Sequence, residues 1–425
     1  IAPQASKEFT VPVNGLKARP GTEYFVNFNV IAVEPEPLIP AGYEIAYDQF
    51  RLPVEAEKNT YKANGPALQT HTQGDELTVS SSKVNFVFNK KSGLVTSYKV
   101  DGTEYFKDGF GIQPNFWRAP NDNDYGNGAP KRLHVWKQSS KDFHVTDTKV
   151  STEDKAVLLQ ATYLLAAGNL YVVTYKIYPS GVVNVNARFT STDMQATETE
   201  VSEATRMATF TPGSDAARKA ASKLEVPRIG VRFRLPAQMN NVQYFGRGPE
   251  ENYIDRNHGT MVGIYQTTAD KMYFNYVRPQ ENGHHTDTRW LNLSPDKGNG
   301  LVIVADSLIG FNALRNSVED FDSEEALPHP YQWNNFSPEE AANHDEKAAR
   351  NVLRRMHHVN DVTPRDFVEV CVDMKQQGVG GYDSWGARPE PFHQIPANRE
   401  YNWGFTLVPI RSGSQATEAA KYDYR

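Results

Sequence analysis

The sequence predicts a mainly β protein built from antiparallel sheet, and three observations carry that reading. Apolar and polar residues alternate with a period of two, glycine-containing turns punctuate the runs, and the 21 Tyr and 21 Phe suit a half-buried pleated surface better than helix faces. Val84, Phe86 and Phe88 alternate ahead of Asn89-Lys90-Lys91-Ser92-Gly93, and Asp101-Gly102 marks the next hairpin turn. Tyr171, Val173, Tyr175 and Ile177 share one face, Pro179-Ser180-Gly181 turns the chain, and Val183, Val185, Ala187 and Phe189 return. Leu301 to Ala305 and Phe367 to Met374 are further β-branched or aromatic runs. One helix is expected against this background. Ser337-Pro338-Glu339-Glu340 supplies an N-cap, a first-turn proline and a capping-box acid, and an Ala-rich charged segment of surface character continues to about Arg355.

Composition excludes several classes. The 425 residues carry 45 Lys+Arg against 51 Asp+Glu, a net charge of −6, with 39% hydrophobic and 23% charged residues, so disorder is not the main state. The mild acidity and the lack of a long basic run argue against nucleic acid or an anionic membrane as partner. No stretch approaches the roughly 18 apolar residues of a bilayer span. The nearest, Ala156 to Gly168, is broken by Gln160 and Thr162. Cys371 is the sole cysteine, which excludes an intrachain disulfide, argues against thiolate zinc, and leaves cytoplasm and periplasm both open.

The organisation follows. At roughly 100–200 residues per domain, the length predicts two to four domains. Residues 1–53 hold about three strands, too few for a closed sandwich. Residues 54–73 read as a polar linker, 74–411 as one large β domain, and 412–425 as a polar, frayed tail. The opening Ile1-Ala2-Pro3, without Met or a signal-type segment, raises the expectation of a piece of something longer.

Motifs for chemistry are sparse. There is no G-x-S-x-G elbow, and Ser384 in Gly381-Tyr382-Asp383-Ser384-Trp385-Gly386 lacks its flanks. His284-His285 and His357-His358 are adjacent pairs that a strand would point to opposite faces, which disfavours a histidine metal site. Asn121-Asp122-Asn123-Asp124-Tyr125-Gly126 fails as an EF-hand loop, since Tyr125 replaces an oxygen ligand and Arg132 stands where a bidentate Glu is needed. It reads instead as an Asx-rich loop bonding its own backbone, with a calcium site of another kind at Asn121–Asp124 left as the alternative. Glu250-Glu251 are neighbours, whereas a retaining glycosidase sets two carboxyls roughly 5–5.5 Å apart across a sugar. They are expected to bond backbone or Arg256. Tyr382, Trp385 and Trp403 lie in loop-like surroundings where an exposed ring can stack on a sugar, although a buried tryptophan is the commoner case.

Four ordered blocks carry a resemblance. They are Phe116-Trp117-Arg118-Ala119-Pro120-Asn121-Asp122-Asn123-Asp124-Tyr125-Gly126, Gly246-Arg247-Gly248-Pro249-Glu250-Glu251-Asn252-Tyr253-Ile254-Asp255-Arg256, Pro279-Gln280-Glu281-Asn282-Gly283, and Gly378-Val379-Gly380-Gly381-Tyr382-Asp383-Ser384-Trp385. In this order they resemble the C-terminal part of glycoside hydrolase family 2 β-galactosidases of the long lactase type. Ala46-Tyr47-Asp48-Gln49-Phe50-Arg51-Leu52 resembles the end of the preceding immunoglobulin-like domain, while residues 190–240 match loosely.

The resemblance implies a large antiparallel β-supersandwich of galactose-mutarotase-like type over 74–411, preceded by part of an immunoglobulin-like β-sandwich in 1–53. It places the catalytic TIM barrel upstream and outside this chain, with both catalytic glutamates and the magnesium and sodium ligands. This chain would then hold no catalytic residue, metal ligand or cofactor and would not hydrolyse galactosides alone. Trp385 matches a tryptophan that stacks on the sugar at the mouth of the barrel, a contact of about 1 kcal/mol. Asp383 and Ser384 would support its loop, and Gly378, Gly380 and Gly381 would let the backbone present the indole. Gly126 matches a loop bordering the site, where glycine is compatible with a hinge. Tyr382 replaces an acid that some relatives carry. The implied partners are a β-galactoside, the upstream barrel and further copies of the parent, as the family commonly forms dimers or tetramers. Two other readings stay open: an aldose epimerase using His284, His285 or His358 with a Glu, and a free-standing galactose- or glycan-binding module.

Overall fold

In the computed structural model, residues 4–191, 225–322, 358–383, 385–412 and 414–425 are described. The helix expected over 337–355 lies outside them. The chain divides into one unit of Ile1–Tyr61 with Thr417–Tyr424 and another of Lys62–Ala416 with Arg425.

In the first unit, β1 (Tyr24–Ile31) and β2 (Glu44–Leu52) form an antiparallel pair, two strands where about three were expected. Rings of Phe28 and Phe50 meet edge-on at 5.8 Å, yet Phe28, Val30, Ile45, Tyr47 and Phe50 stay exposed. The short β3 (Asn59–Thr60) completes the N-terminal part of this unit.

The second unit begins with a five-stranded antiparallel meander of β4 (Gln69–Gln73), β5 (Glu76–Ser80), β6 (Val84–Asn89), β7 (Leu94–Val100) and β8 (Thr103–Glu104). β4 falls in the segment read as a linker. Its Gln-Thr-His-Thr-Gln sequence is exposed throughout, so pairing with β5 leaves no apolar period to detect. Asp101 and Gly102 both take positive φ, at 49° and 82°, as the tight turn between β7 and β8 requires.

Facing it is a twelve-stranded sheet. It contains β9 (Gln113–Asn115), β10 (His144–Glu153), β11 (Ala156–Leu164), β12 (Leu170–Ile177), β13 (Val183–Thr190) and β14 (Arg228–Pro236). It continues with β15 (Asn241–Gly248), β16 (Met261–Thr268), β17 (His285–Ser294), β18 (Gly300–Leu314), β19 (Phe367–Gln376) and β20 (Tyr401–Ile410). The main path runs β10-β11-β12-β13-β20-β18-β17-β15-β16, and β19, β14 and β9 branch from β18. The branch arises because the first part of β18 pairs with β20 and its last five residues with β19.

The two sheets share a core. Tyr171, Val173, Tyr175 and Ile177 face inward from β12, as their alternation predicts. Tyr175 meets Phe86 and Phe88 at 5.6 and 6.3 Å, and the Tyr98 hydroxyl donates to the Gly181 carbonyl at 2.6 Å. Each such buried aromatic stabilises by about 1.5–3 kcal/mol.

Short helices α1 (Asp122–Gly126), α2 (Ala129–Arg132) and α3 (His134–Ser139) link β9 to β10, and α4 (Val318–Phe321) follows β18. The C-terminal segment corrects the expectation of a frayed tail. α5 (Ala416–Ala419) leads into β21 (Tyr422–Asp423), which pairs in parallel with β3. The Tyr61 ring meets Tyr424 at 4.7 Å and Tyr422 at 6.0 Å. A mean polarity over these residues hid a few well-placed apolar contacts.

Candidate functional site

β9 and β19 both run antiparallel to β14, so they point the same way and their C-terminal ends lie on one edge. The chain leaves β9 into the Phe116–Gly126 block and leaves β19 into the glycine-rich 377–387 loop. Blocks some 260 positions apart thereby become neighbours.

Arg118 joins them. Its buried guanidinium donates to Asp124 at 3.2 Å from Nε and 3.0 Å from Nη2. The remaining donors reach the Gln377 carbonyl at 2.7 Å and the Gly378 carbonyl at 3.1 Å. Burial by itself disfavours the charge, but the Asp124 carboxylate more than offsets this and holds the guanidinium above its ordinary pKa. Asp124 also closes a capping box with Asn121, each side chain accepting from the other's backbone N–H at 2.8 and 3.2 Å. Asn121 further donates to the Val379 carbonyl at 3.2 Å. The acids and amides of this motif thus serve capping and pairing. Among the described residues, no three His, Cys, Asp or Glu side chains converge as a cation site.

The 377–387 loop is held at several points. Asp255 accepts from Val379 N–H at 3.0 Å and Gly380 N–H at 2.9 Å, one amide to each carboxylate oxygen. Asp383 Oδ1 accepts from the amides of Trp385, Gly386 and Ala387 at 3.1, 3.2 and 2.9 Å. Asn123 bridges both arms, donating to the Asp383 carbonyl at 3.1 Å and accepting from Gly386 N–H at 3.3 Å. At the end of this tied loop, the Trp385 side chain is 81% exposed.

Of the residues singled out from sequence, Trp385, Asp383 and Gly126 come together here, and Ser384 lies outside the described residues. Gly126 ends α1, and a Cβ on it would fall 2.3 Å from the Trp385 carbonyl oxygen. Close approach of two backbones, not a left-handed turn, demands glycine there. Tyr382 is exposed within the same loop. Trp403 corrects the reading of a loop-like aromatic: it sits in β20, 4% exposed, with its ring 5.6 Å from Phe405. Arg118, Asn123 and Asp255 were missed as site residues. All three lie within the quoted blocks, but spacing along the chain does not disclose partners more than a hundred positions away.

Among the other candidates, Glu251, Glu281, His284 and His285 have structural partners, and Arg256 pairs with Glu251 and not Glu250. Glu251 accepts from Arg256 and from Gly283 N–H, both at 2.7 Å, and also bonds the Tyr276 hydroxyl. Glu281 accepts from Arg228 at 2.7 Å, Gln376 at 2.9 Å and Asn312 at 3.0 Å. Glu250 is exposed. His284 is buried, with Nδ1 2.9 Å from Asn312 Oδ1 and its ring stacked on Tyr253. Burial, then the Arg228 charge, pushes its pKa down to about 3. His285 is buried against Tyr244 and Phe311, its ring nitrogens 3.1 and 3.2 Å from the Gly283 and Pro249 carbonyls. His358 is exposed beside Asp361, and His357 lies outside the described residues. The two buried rings are closed to a sugar, which removes the geometric basis for an epimerase built on them.

Comparisons with known proteins complete the picture. Among solved structures, a putative aldose 1-epimerase from Escherichia coli K12 aligns with TM-score 0.35 and 8% identity, over 81% of this chain and 99% of that one. Galactose 1-epimerase from Lactobacillus acidophilus aligns with TM-score 0.36 and 8% identity, over 82% and 99%. The β-galactosidase of Priestia megaterium is 30% identical over 413 residues, which are 96% of this chain and 34% of that protein. That of Streptococcus thermophilus is 25% identical over 410 residues, 95% and 33%. The chain therefore spans about a third of the length of these relatives. With the β-galactosidase domain 4 family matching residues 1–53 and the β-galactosidase small chain family matching residues 80–407, this chain belongs to the β-galactosidase small chain family.

Proposed function

We propose that this chain is the C-terminal accessory part of a retaining glycoside hydrolase family 2 β-galactosidase acting on terminal, lactose-like β-D-galactosides. The reading assigns the first unit to part of an immunoglobulin-like domain and the second to the terminal supersandwich. In a retaining enzyme, one carboxylate attacks the anomeric carbon while a second carboxylic acid protonates the leaving oxygen, and water then releases the glycosyl-enzyme. Both groups, and the parent's magnesium and sodium ligands, would come from a TIM barrel beyond this chain. No step of the chemistry is assigned to Glu250, which is exposed, or to Glu251 and Glu281, which are held by neighbouring side chains.

This chain's share is sugar binding. The observation that carries the reading is Trp385, exposed on a loop whose backbone is tied down by Asp255, Asp383 and Asn123. An indole held this way can stack on the apolar face of galactose at little entropic cost, worth about 1 kcal/mol. The parent would be a homo-oligomer.

The test is hydrolysis of nitrophenyl β-galactoside by this chain beside its full-length parent. An active parent and a silent chain are expected. In the parent, Trp385→Ala should raise KM about fivefold, the equivalent of about 1 kcal/mol, with a smaller fall in kcat. Unchanged kinetics would remove Trp385 from the site. Turnover by this chain alone would overturn the reading and return attention to the three glutamates. Galactose binding by the chain alone, with no active parent, would favour a free-standing glycan-binding module.

A further inference from the structure

We propose that Asp255 is a positioning residue for the Trp385 loop: its carboxylate restrains the glycine-rich stem through which the indole is aimed. The inference rests on the sugar-binding reading of Trp385 for its functional consequence, but its structural content stands apart from that reading.

The loop leaves β19 through Gly378, Val379, Gly380 and Gly381. Three glycines in four residues give a stem with wide backbone freedom, and Gly380 and Gly381 both take positive φ, at 74° and 123°. Bonds elsewhere in the loop do not remove that freedom. Arg118 holds the carbonyls of Gln377 and Gly378, and the Gly378 N–H donates to the His393 carbonyl at 2.9 Å, so these bonds fix only the first residue of the stem. Asp383 and Asn123 shape the tip, beyond it. Asn121 holds one carbonyl inside the stem, that of Val379. Asp255 holds two consecutive amides there, those of Val379 and Gly380, with one oxygen each. A carboxylate on two N–H donors fixes the orientation of both peptide planes, and its charge strengthens each bond.

Asp255 is itself well supported. It lies in a tight turn closed by reciprocal backbone bonds between Tyr253 and Arg256, at 3.2 and 2.7 Å. The preceding Asn252 is fully buried, donating to the carbonyls of Arg247 and Glu250 and accepting from Thr286 N–H at 3.0 Å. Fit is close on the other side too: a Cβ on Gly378 would lie 2.5 Å from Asp255 Oδ2. On the sugar-binding reading Asp255 acts through the loop, and its contribution would appear in binding more than in turnover.

The test labels this chain with 5-fluorotryptophan and records ¹⁹F spectra. The Trp385 resonance is identified by its loss in Trp385→Phe. In Asp255→Ala it should move toward the free amino acid's position and narrow, while the other resonances and the urea midpoint hold. Asp255→Asn, which keeps one acceptor oxygen, should lie between. Gly378→Ala, which displaces the carboxylate without removing it, should reproduce the shift if the Ala variant fails to fold. An unmoved Trp385 resonance in a folded Asp255→Ala or Gly378→Ala variant would overturn the proposal. In the parent enzyme, Asp255→Asn should raise KM for nitrophenyl β-galactoside by about threefold with kcat within about twofold. A shifted resonance with KM unchanged in both Asp255→Asn and Trp385→Ala would leave the positioning role standing and sink the sugar-binding reading instead.

Discussion

Gly126 and Trp385 are in backbone contact: a Cβ added to Gly126 would stand 2.3 Å from the Trp385 carbonyl oxygen and 2.6 Å from its carbon. The end of α1 and the indole loop are therefore packed as one piece, and a side chain at 126 must separate them. We expect Gly126→Ala to destabilise the chain by about 1–3 kcal/mol, the usual range for overpacking, read from the urea midpoint. The same variant should shift the Trp385 ¹⁹F resonance of the 5-fluorotryptophan-labelled chain. An alanine that leaves both unchanged would mean the two backbones part freely.

Asp124→Ala should cost more. It leaves the Arg118 guanidinium buried with half of its hydrogen bonds gone and removes the α1 capping box. Breaking one side of a buried ion pair typically costs about 3–5 kcal/mol. Equilibrium denaturation of the variant checks this, and a loss under about 1 kcal/mol would show that water reaches Arg118.

Two tryptophans should separate stability from binding. Trp403→Ala empties a core position beside Phe405 and should cost about 3–5 kcal/mol. Trp385→Ala removes an exposed ring and should change stability by no more than about 0.5 kcal/mol. Thermal melts of the two variants make the comparison.

The pH dependence of stability should contain two opposed contributions around Arg228. Burial pushes the Asp373 carboxyl up to about 7 against the pull of Arg228, so the folded state holds its proton more tightly than the unfolded chain. Its stabilising contribution is complete below about pH 4 and fades as pH rises to about 7. His284 has the reverse sign. Its pKa falls to about 3, so its contribution is present above about 6.5 and fades as pH drops. Between about pH 4 and 6.5 the two slopes, each up to about 1.4 kcal/mol per unit, largely cancel. Asp373→Asn should leave stability rising with pH across this window, and His284→Gln should leave it falling. Denaturation midpoints at pH 4.5, 5.5 and 6.5 read both; parallel profiles for the two variants would contradict the assignment.

Much of this protein was legible from periodicity alone. The alternation in β6, β12 and β13, the Asp101-Gly102 turn and the inward face of Tyr171 to Ile177 all depend on neighbours a few positions away, where a period of two has direct physical meaning. β4 and the β3–β21 pairing escaped the same reading. Their backbones pair without an alternating apolar face, and backbone hydrogen bonds leave no mark on side-chain composition. The four motif blocks carried the resemblance, which put Gly126 and Trp385 at one site but gave Arg118 and Asp255 no role. Only the tertiary structure decided what each does: that Arg118 and Asp255 grip one loop, that Gly126 is glycine for want of space, that Trp403 is core and Trp385 is not. Those outcomes turn on which strand ends share an edge of the sheet. That is set by long-range pairing, through β14 for Arg118 and Gly126, through β17 for Asp255 and through β13 and β18 for Trp403, a property no local stretch of sequence contains.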